Sequence, residues 1–137
     1  SLLLRNITKS IFKSVQLRAF SSSVRNMRVN DISKTIEGLK EDDSEGIQTV
    51  EEYFRVNFRK LPFEDAWTLL DKVSDVYALE DSFWVWETLE EAIRPDLPSL
   101  PDDKFDRIKK GFLKLHKGSD YFWHDIDDRE NSRVSIL

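Results

Sequence analysis

The chain has 137 residues, a formal net charge of −5, four tryptophans and no cysteine. That length suits one domain, and the missing cysteine excludes disulfides, thiolate metal sites and a thiol nucleophile. No apolar run approaches the roughly 18 residues that span a bilayer, and the acidic balance argues against sequence-independent nucleic-acid binding, which neutralises phosphates with Lys and Arg.

Residues 1–20 carry Arg5, Lys9, Lys13 and Arg18 and no acidic residue. Leu4, Ile7, Ile11, Phe12 and Val15 recur at helical spacing among them, and serines 21–23 follow. A basic amphipathic helix running into a Ser-rich stretch is the composition of a mitochondrial transit peptide. Arg18-Ala19-Phe20-Ser21 also resembles the cleavage pattern of such presequences. Residues 1–20 are therefore read as a targeting segment, removed or retained. Without its four cations the formal charge of −5 becomes −9.

Residues 21–48 read as linker. Within them, Asn30 or Asp31 can cap a short helix bearing Ile32, Ile36 and Leu39, and Lys40–Gln48 is an acidic loop containing Gly46. The composition changes at Thr49: fourteen of the sixteen aromatic residues lie between Tyr53 and Trp123. Thr49-Val50-Glu51-Glu52 has the form of a capping box, opening a helix that carries Val50, Tyr53, Phe54 and Phe58 and ends before Pro62. A second helix is predicted over 63–78, with Ala66, Trp67, Leu70, Val73 and Tyr77 as its apolar stripe. The third, over 82–93, holds Phe83, Trp84, Val85, Trp86, Leu89 and Ile93 and stops before Pro95.

The segment 94–101 holds three of the four prolines and reads as a stiff connector anchored by Leu97 and Leu100. A fourth helix over 102–116 starts with acids and ends with Lys114 and His116, the order that suits a helix dipole. Phe105, Ile108, Phe112 and Leu115 form its buried face, and Gly118 is placed as its C-terminal cap. Ser119 or Asp120 then caps a fifth helix with Tyr121, Phe122, Trp123 and Ile126. The fold class is all-α, a helical domain over 49–129 followed by a tail over 130–137.

A faint repeat runs through the domain. Trp86-Glu87-Thr88-Leu89-Glu90 matches Trp123-His124-Asp125-Ile126-Asp127, and upstream Trp67 and Leu70 match Phe105 and Ile108. This pattern resembles the degenerate α-hairpin repeats of organellar proteins over residues 63–129. The resemblance implies two helix-turn-helix repeats of about 38 residues, against an ordinary small helical bundle.

No constellation carries chemistry. His116 and His124 have no zinc-ligand spacing, and Asp125, Asp127 and Asp128 lack the glycine turn and terminal glutamate of a calcium loop. Metal, cofactor and catalytic residues are accordingly read as none. Glu87, Glu90 and Glu91 could do acid–base work only if burial raised a pKa, and they read better as an acidic face for a basic partner. Trp84 and Trp86 stand about 200° apart on one helix, so at least one is expected to meet a partner.

The expected partner-binding set is Phe83, Trp84, Trp86, Glu87, Glu90, Glu91 and Trp123. The expected function is a non-catalytic accessory subunit of a mitochondrial inner-membrane assembly, a respiratory-chain complex or ATP synthase. It would sit on the matrix side, peripheral to the membrane at most, with protein subunits as partners. The alternative is a mitoribosomal or RNA-processing helical-repeat protein, using surface cations such as Lys109, Lys110 and Lys114.

Overall fold

The computed structural model describes residue 20 and residues 22–136, with side chains through residue 132. Residues 1–19 of the targeting segment lie outside the described residues. From residue 29 on, the described residues form six α-helices in chain order: α1 Val29–Glu37, α2 Ser44–Val56, α3 Phe63–Val73, α4 Phe83–Ile93, α5 Asp102–Lys114 and α6 Asp120–Ile136. Short 3₁₀ turns lie at Tyr77–Leu79 and Arg94–Ser99, a helical turn at 22–25 precedes α1, and no strand occurs among the described residues. The chain is all-α.

The helices pair in sequence and stack in two layers. α1 packs on α2 and on α3, α3 packs on α4 and on α5, and α2 packs on α4. So α1, α3 and α5 form one layer, and α2 and α4 the other. α6 extends the second layer by packing on the 94–99 turn that continues α4, and its Phe122 stacks on Phe112 of α5 with ring centroids 4.2 Å apart. The arrangement is three stacked helical hairpins, one more than the sequence repeat suggests. The sequence match also assigns Trp67 to the position of Phe105. The fully covered positions are Ala66, Leu69, Leu70 and Val73 on α3 and Phe105, Ile108 and Phe112 on α5, so Leu70 suits its match to Ile108, whereas Trp67 is only partly buried where Phe105 is fully so.

The first hairpin lies largely in the stretch read as linker. Ile32 and Ile36 of α1 are fully buried, and Val24, in a helical turn at 22–25, is almost so. The packed core therefore begins well upstream of Thr49. α2 itself starts at Ser44, where the Asp43 carboxylate accepts the Gly46 N–H at 2.9 Å. Thr49 falls inside the helix and its hydroxyl donates to Glu45 O, so the Thr49 capping box is not used. Gly46 permits the earlier start. A Cβ there would come within 2.5 Å of Asp43 Oδ2 and 2.6 Å of Leu39 Cδ2.

Two more helix ends differ from the sequence reading. α3 stops at Val73 because its buried stripe ends there; Val76 turns extended, and a 3₁₀ turn delivers Leu79 to the core while Tyr77 is left 67% exposed. α6 continues through the stretch read as tail, to Ile136.

α5 ends at Lys114 with Leu115 as its cap, and His116, rather than Gly118, is the residue that closes it. His116 adopts φ +55, its N–H bonds to Leu113 O, and the Lys117 N–H reaches back to Phe112 O at 2.8 Å. This is a Schellman closure with histidine in the left-handed position usually taken by glycine. Since a side chain there costs about 1–2 kcal/mol, partly offset by the entropy glycine adds to the unfolded chain, His116→Gly should raise stability by about 0.5 kcal/mol in urea unfolding. Gly118 has φ +101, and a Cβ would lie 2.7 Å from Phe122 and 2.8 Å from the Trp123 indole nitrogen. Gly118→Ala should therefore lower stability, by about 1–3 kcal/mol.

Tyr53 of α2 is 4% exposed. Burial, helped by the nearby Asp65 charge, pushes its phenol up to about 12 from 10.0. The unfolded chain then releases this proton first as pH rises, so the contribution of Tyr53 is fully present below pH 10 and declines between about 10 and 12. The slope is up to about 1.4 kcal/mol per pH unit. Tyr53→Phe should melt less steeply with pH across that window, as followed by circular dichroism, and equal slopes would contradict the assignment.

Candidate docking face on α4

α4 supplies six of the seven predicted partner residues, all but Trp123, and the structure divides the set. Trp86 points inward: it is 6% exposed, its indole N–H donates to Leu79 O at 3.0 Å, and its ring meets Phe112 edge-on at 5.4 Å. Glu90 is also turned inward, 8% exposed. Its two carboxylate oxygens accept the Ser119 N–H at 2.6 Å and the Ser119 hydroxyl at 2.7 Å. Ser119 Oγ in turn accepts the Phe122 N–H at 3.2 Å, as the N-cap of α6. In a capping box the third helical residue would satisfy the cap's N–H. Here that residue is Phe122, and Glu90 provides the carboxylate from the neighbouring helix. Glu90 joins the second and third hairpins.

Trp123 is half-buried over the same turn, its indole N–H donating to Lys117 O at 2.9 Å. The other four residues share an outward stripe. Phe83 is 64% exposed. Trp84 is half-buried, edge-on to both Phe83 at 5.1 Å and Phe58 at 5.6 Å. Glu87 and Glu91 continue the stripe one and two turns on, both partly exposed. Glu91 meets Arg59, whose guanidinium lies 5.1 Å from the Phe58 ring centroid.

Phe58 and Arg59 are the residues that sequence reading missed. They lie in the turn after α2, and they reach α4 because α2 and α4 are layer neighbours. Arg59 adopts φ +63. No local pattern signals this meeting, since it depends on the hairpin stacking.

Beyond the stripe, the seams between hairpins are closed by charge pairs. Glu37 meets Lys72, Asp71 meets Arg107, and Asp75 meets Lys114 across the α1–α3–α5 layer. Arg94 and Asp125 pair at 2.9 Å between the end of α4 and α6. Of the three glutamates Glu87, Glu90 and Glu91, Glu90 caps α6 and Glu91 faces Arg59. Among the described residues no group of three or more His, Cys, Asp or Glu is arranged to hold a metal ion. Nor is any helix among them long and apolar enough to cross a membrane. What the α4 stripe offers is an aromatic ridge bordered by carboxylates.

No family model matches the sequence, and neither a curated protein nor a solved structure matches it.

Proposed function

We propose that this protein is a non-catalytic accessory subunit of a mitochondrial inner-membrane assembly, a respiratory-chain complex or ATP synthase, docked on the matrix side through α4. The observation that carries the docking is the Phe83–Trp84–Phe58 ridge, in which a large aromatic side chain is left 64% exposed beside a half-buried tryptophan. Stacked hairpins favour such a role because they build an extended surface from short units. The address rests on the basic, acid-free composition of residues 1–20. The RNA-binding alternative is weakened by the fate of its cations. Lys109 is paired with Glu130 and Lys114 with Asp75, so two of the three candidate phosphate contacts already serve carboxylates of the same chain.

Two measurements test the reading. A reporter fused to residues 1–23 should enter the matrix, and should stay in the cytosol when Arg5, Lys9, Lys13 and Arg18 are changed to glutamate. A photocrosslinker at Phe83 of the full chain should capture a subunit of a large inner-membrane assembly from mitochondria. Migration of the protein as a free 16.2 kDa chain, with no protein crosslink at Phe83, would end the accessory-subunit proposal.

A further inference from the structure

Beside the ridge, an open groove of about 350 Å³ separates the first turn of α4 from the turn between α5 and α6. Its lining is unusual in what it leaves unused. Ser82 is 5% exposed, and its buried hydroxyl has no hydrogen-bond partner, an arrangement that buried polar groups seldom keep. Asp81 and Glu87 line the same groove and have no ion-pair partner among the described residues. Trp86 contributes its ring alone, because its N–H is already bonded to Leu79 O. Phe83 stands at the edge, largely exposed.

The charge of the lining selects the ligand. The N-terminus of α4 would by itself favour an anion, and Lys117 adds one positive charge. Against these stand Asp81, Glu87 and Glu90, three carboxylates around one small groove. A cation is favoured. An ammonium would satisfy the charge, but it is a compact point charge that leaves ring surface unused. A guanidinium is planar, stacks on aromatic carbons and presents a fork of five N–H donors to carboxylates and a hydroxyl.

We propose that this groove is the socket for an arginine side chain of a partner protein, with the ridge of Phe83, Trp84 and Phe58 receiving the apolar residues that flank it. In that socket the guanidinium lies against Phe83 and Trp86 and donates to Glu87 and Asp81, beside the unpartnered Ser82 hydroxyl. This assignment rests on the protein-docking reading above and specifies the partner's chemistry.

The test uses the isotope-labelled full chain in solution, with acetyl-arginine amide as the probe and its citrulline and lysine counterparts as controls. The arginine probe should shift the Trp86 indole N–H and the backbone amides of Ser82, Phe83 and Glu87, saturating in the millimolar range. The neutral citrulline analogue should produce no saturable shift, and the lysine analogue should bind more weakly. The double variant Asp81→Asn, Glu87→Gln should fold as the native chain does and weaken arginine binding at least fivefold. Equal shifts from arginine and citrulline, or unchanged binding by the double variant, would overturn the assignment. So would stronger shifts with inorganic phosphate. If Arg5→Gln or Arg18→Gln moves the Trp86 resonance before any probe is added, the chain's own N-terminus fills the socket and the partner assignment fails. In mitochondria the two proposals separate. Loss of the double variant from an assembly that retains the native chain supports the socket, whereas retention of both rejects it and leaves the accessory reading standing. Absence of the native chain from any assembly rejects the accessory reading, and the probe titration still decides the socket.

Discussion

Trp86→Ala should lower the folding free energy by about 3–5 kcal/mol, the usual cost of truncating a buried large aromatic, while Trp84→Ala, which removes a side chain only partly covered by the core, should cost clearly less. The two residues are separated by one position and do opposite work. Trp86 is enclosed, and its removal also leaves Leu79 O without its donor and exposes the edge of Phe112, which supports Phe122 across the next hairpin. Trp84 makes ring contacts with Phe83 and Phe58 and packs against the edge of the core, but part of its surface stays open to solvent. Since a small domain has a total stability of about 5–15 kcal/mol, the first substitution approaches global unfolding at moderate temperature. Thermal melts followed by circular dichroism distinguish them directly. Similar losses for both variants would remove Trp84 from the docking face and place it in the core.

The same pair shows what the sequence could and could not reveal. The separation of about 200° between neighbouring tryptophans follows from helix geometry alone, so one inward and one outward residue is legible without a structure. Which is which depends on Phe112 and Leu79, and both reach Trp86 only through the hairpin stack. Apolar periodicity likewise located the cores of α3, α4 and α5, because single amphipathic helices carry that signal within themselves. The first hairpin was less visible. The short helix bearing Ile32 and Ile36 was legible, but α1 carries only those two buried residues, and its partner helix starts in the acidic run Asp42-Asp43-Ser44-Glu45. Acidic residues there read as solvent-exposed loop, although one of them, Asp43, is a cap and another, Glu45, sits in the first turn where negative charge is favourable. Glu90 illustrates the limit for the site. It belongs by sequence to an acidic surface cluster, and only the approach of Ser119 turns it into an internal cap.

Arg129→Ala should destabilise the protein by about 3 kcal/mol, a second large loss and one from a residue that no sequence pattern singles out. The guanidinium reaches from α6 to the 3₁₀ turn after α4. It donates to Leu97 O at 2.6 Å and to Leu100 O at 2.5 Å, meets Asp102 at 3.2 Å, and lies 4.2 Å from the Phe105 ring centroid. Its side chain is only 10% exposed, whereas that of Asp102 is 77% exposed. The carbonyls and the ring, rather than the solvent-screened ion pair, therefore carry the effect. Truncation leaves two backbone oxygens without their donor and uncovers Phe105 on the seam between the second and third hairpins. Arg129→Lys keeps the charge but cannot span two carbonyls while covering a ring, so it should recover less than half of the loss. Asp102→Asn should cost about 0.5 kcal/mol or less. Hydrogen exchange gives an independent readout: in Arg129→Ala the amides of α6 should open before those of α3 and α4, since the turn that holds α6 has lost its clamp. If Arg129→Lys is as stable as the native chain, or Asp102→Asn is as damaging as Arg129→Ala, the surface ion pair would be the source of stability and the clamp would not.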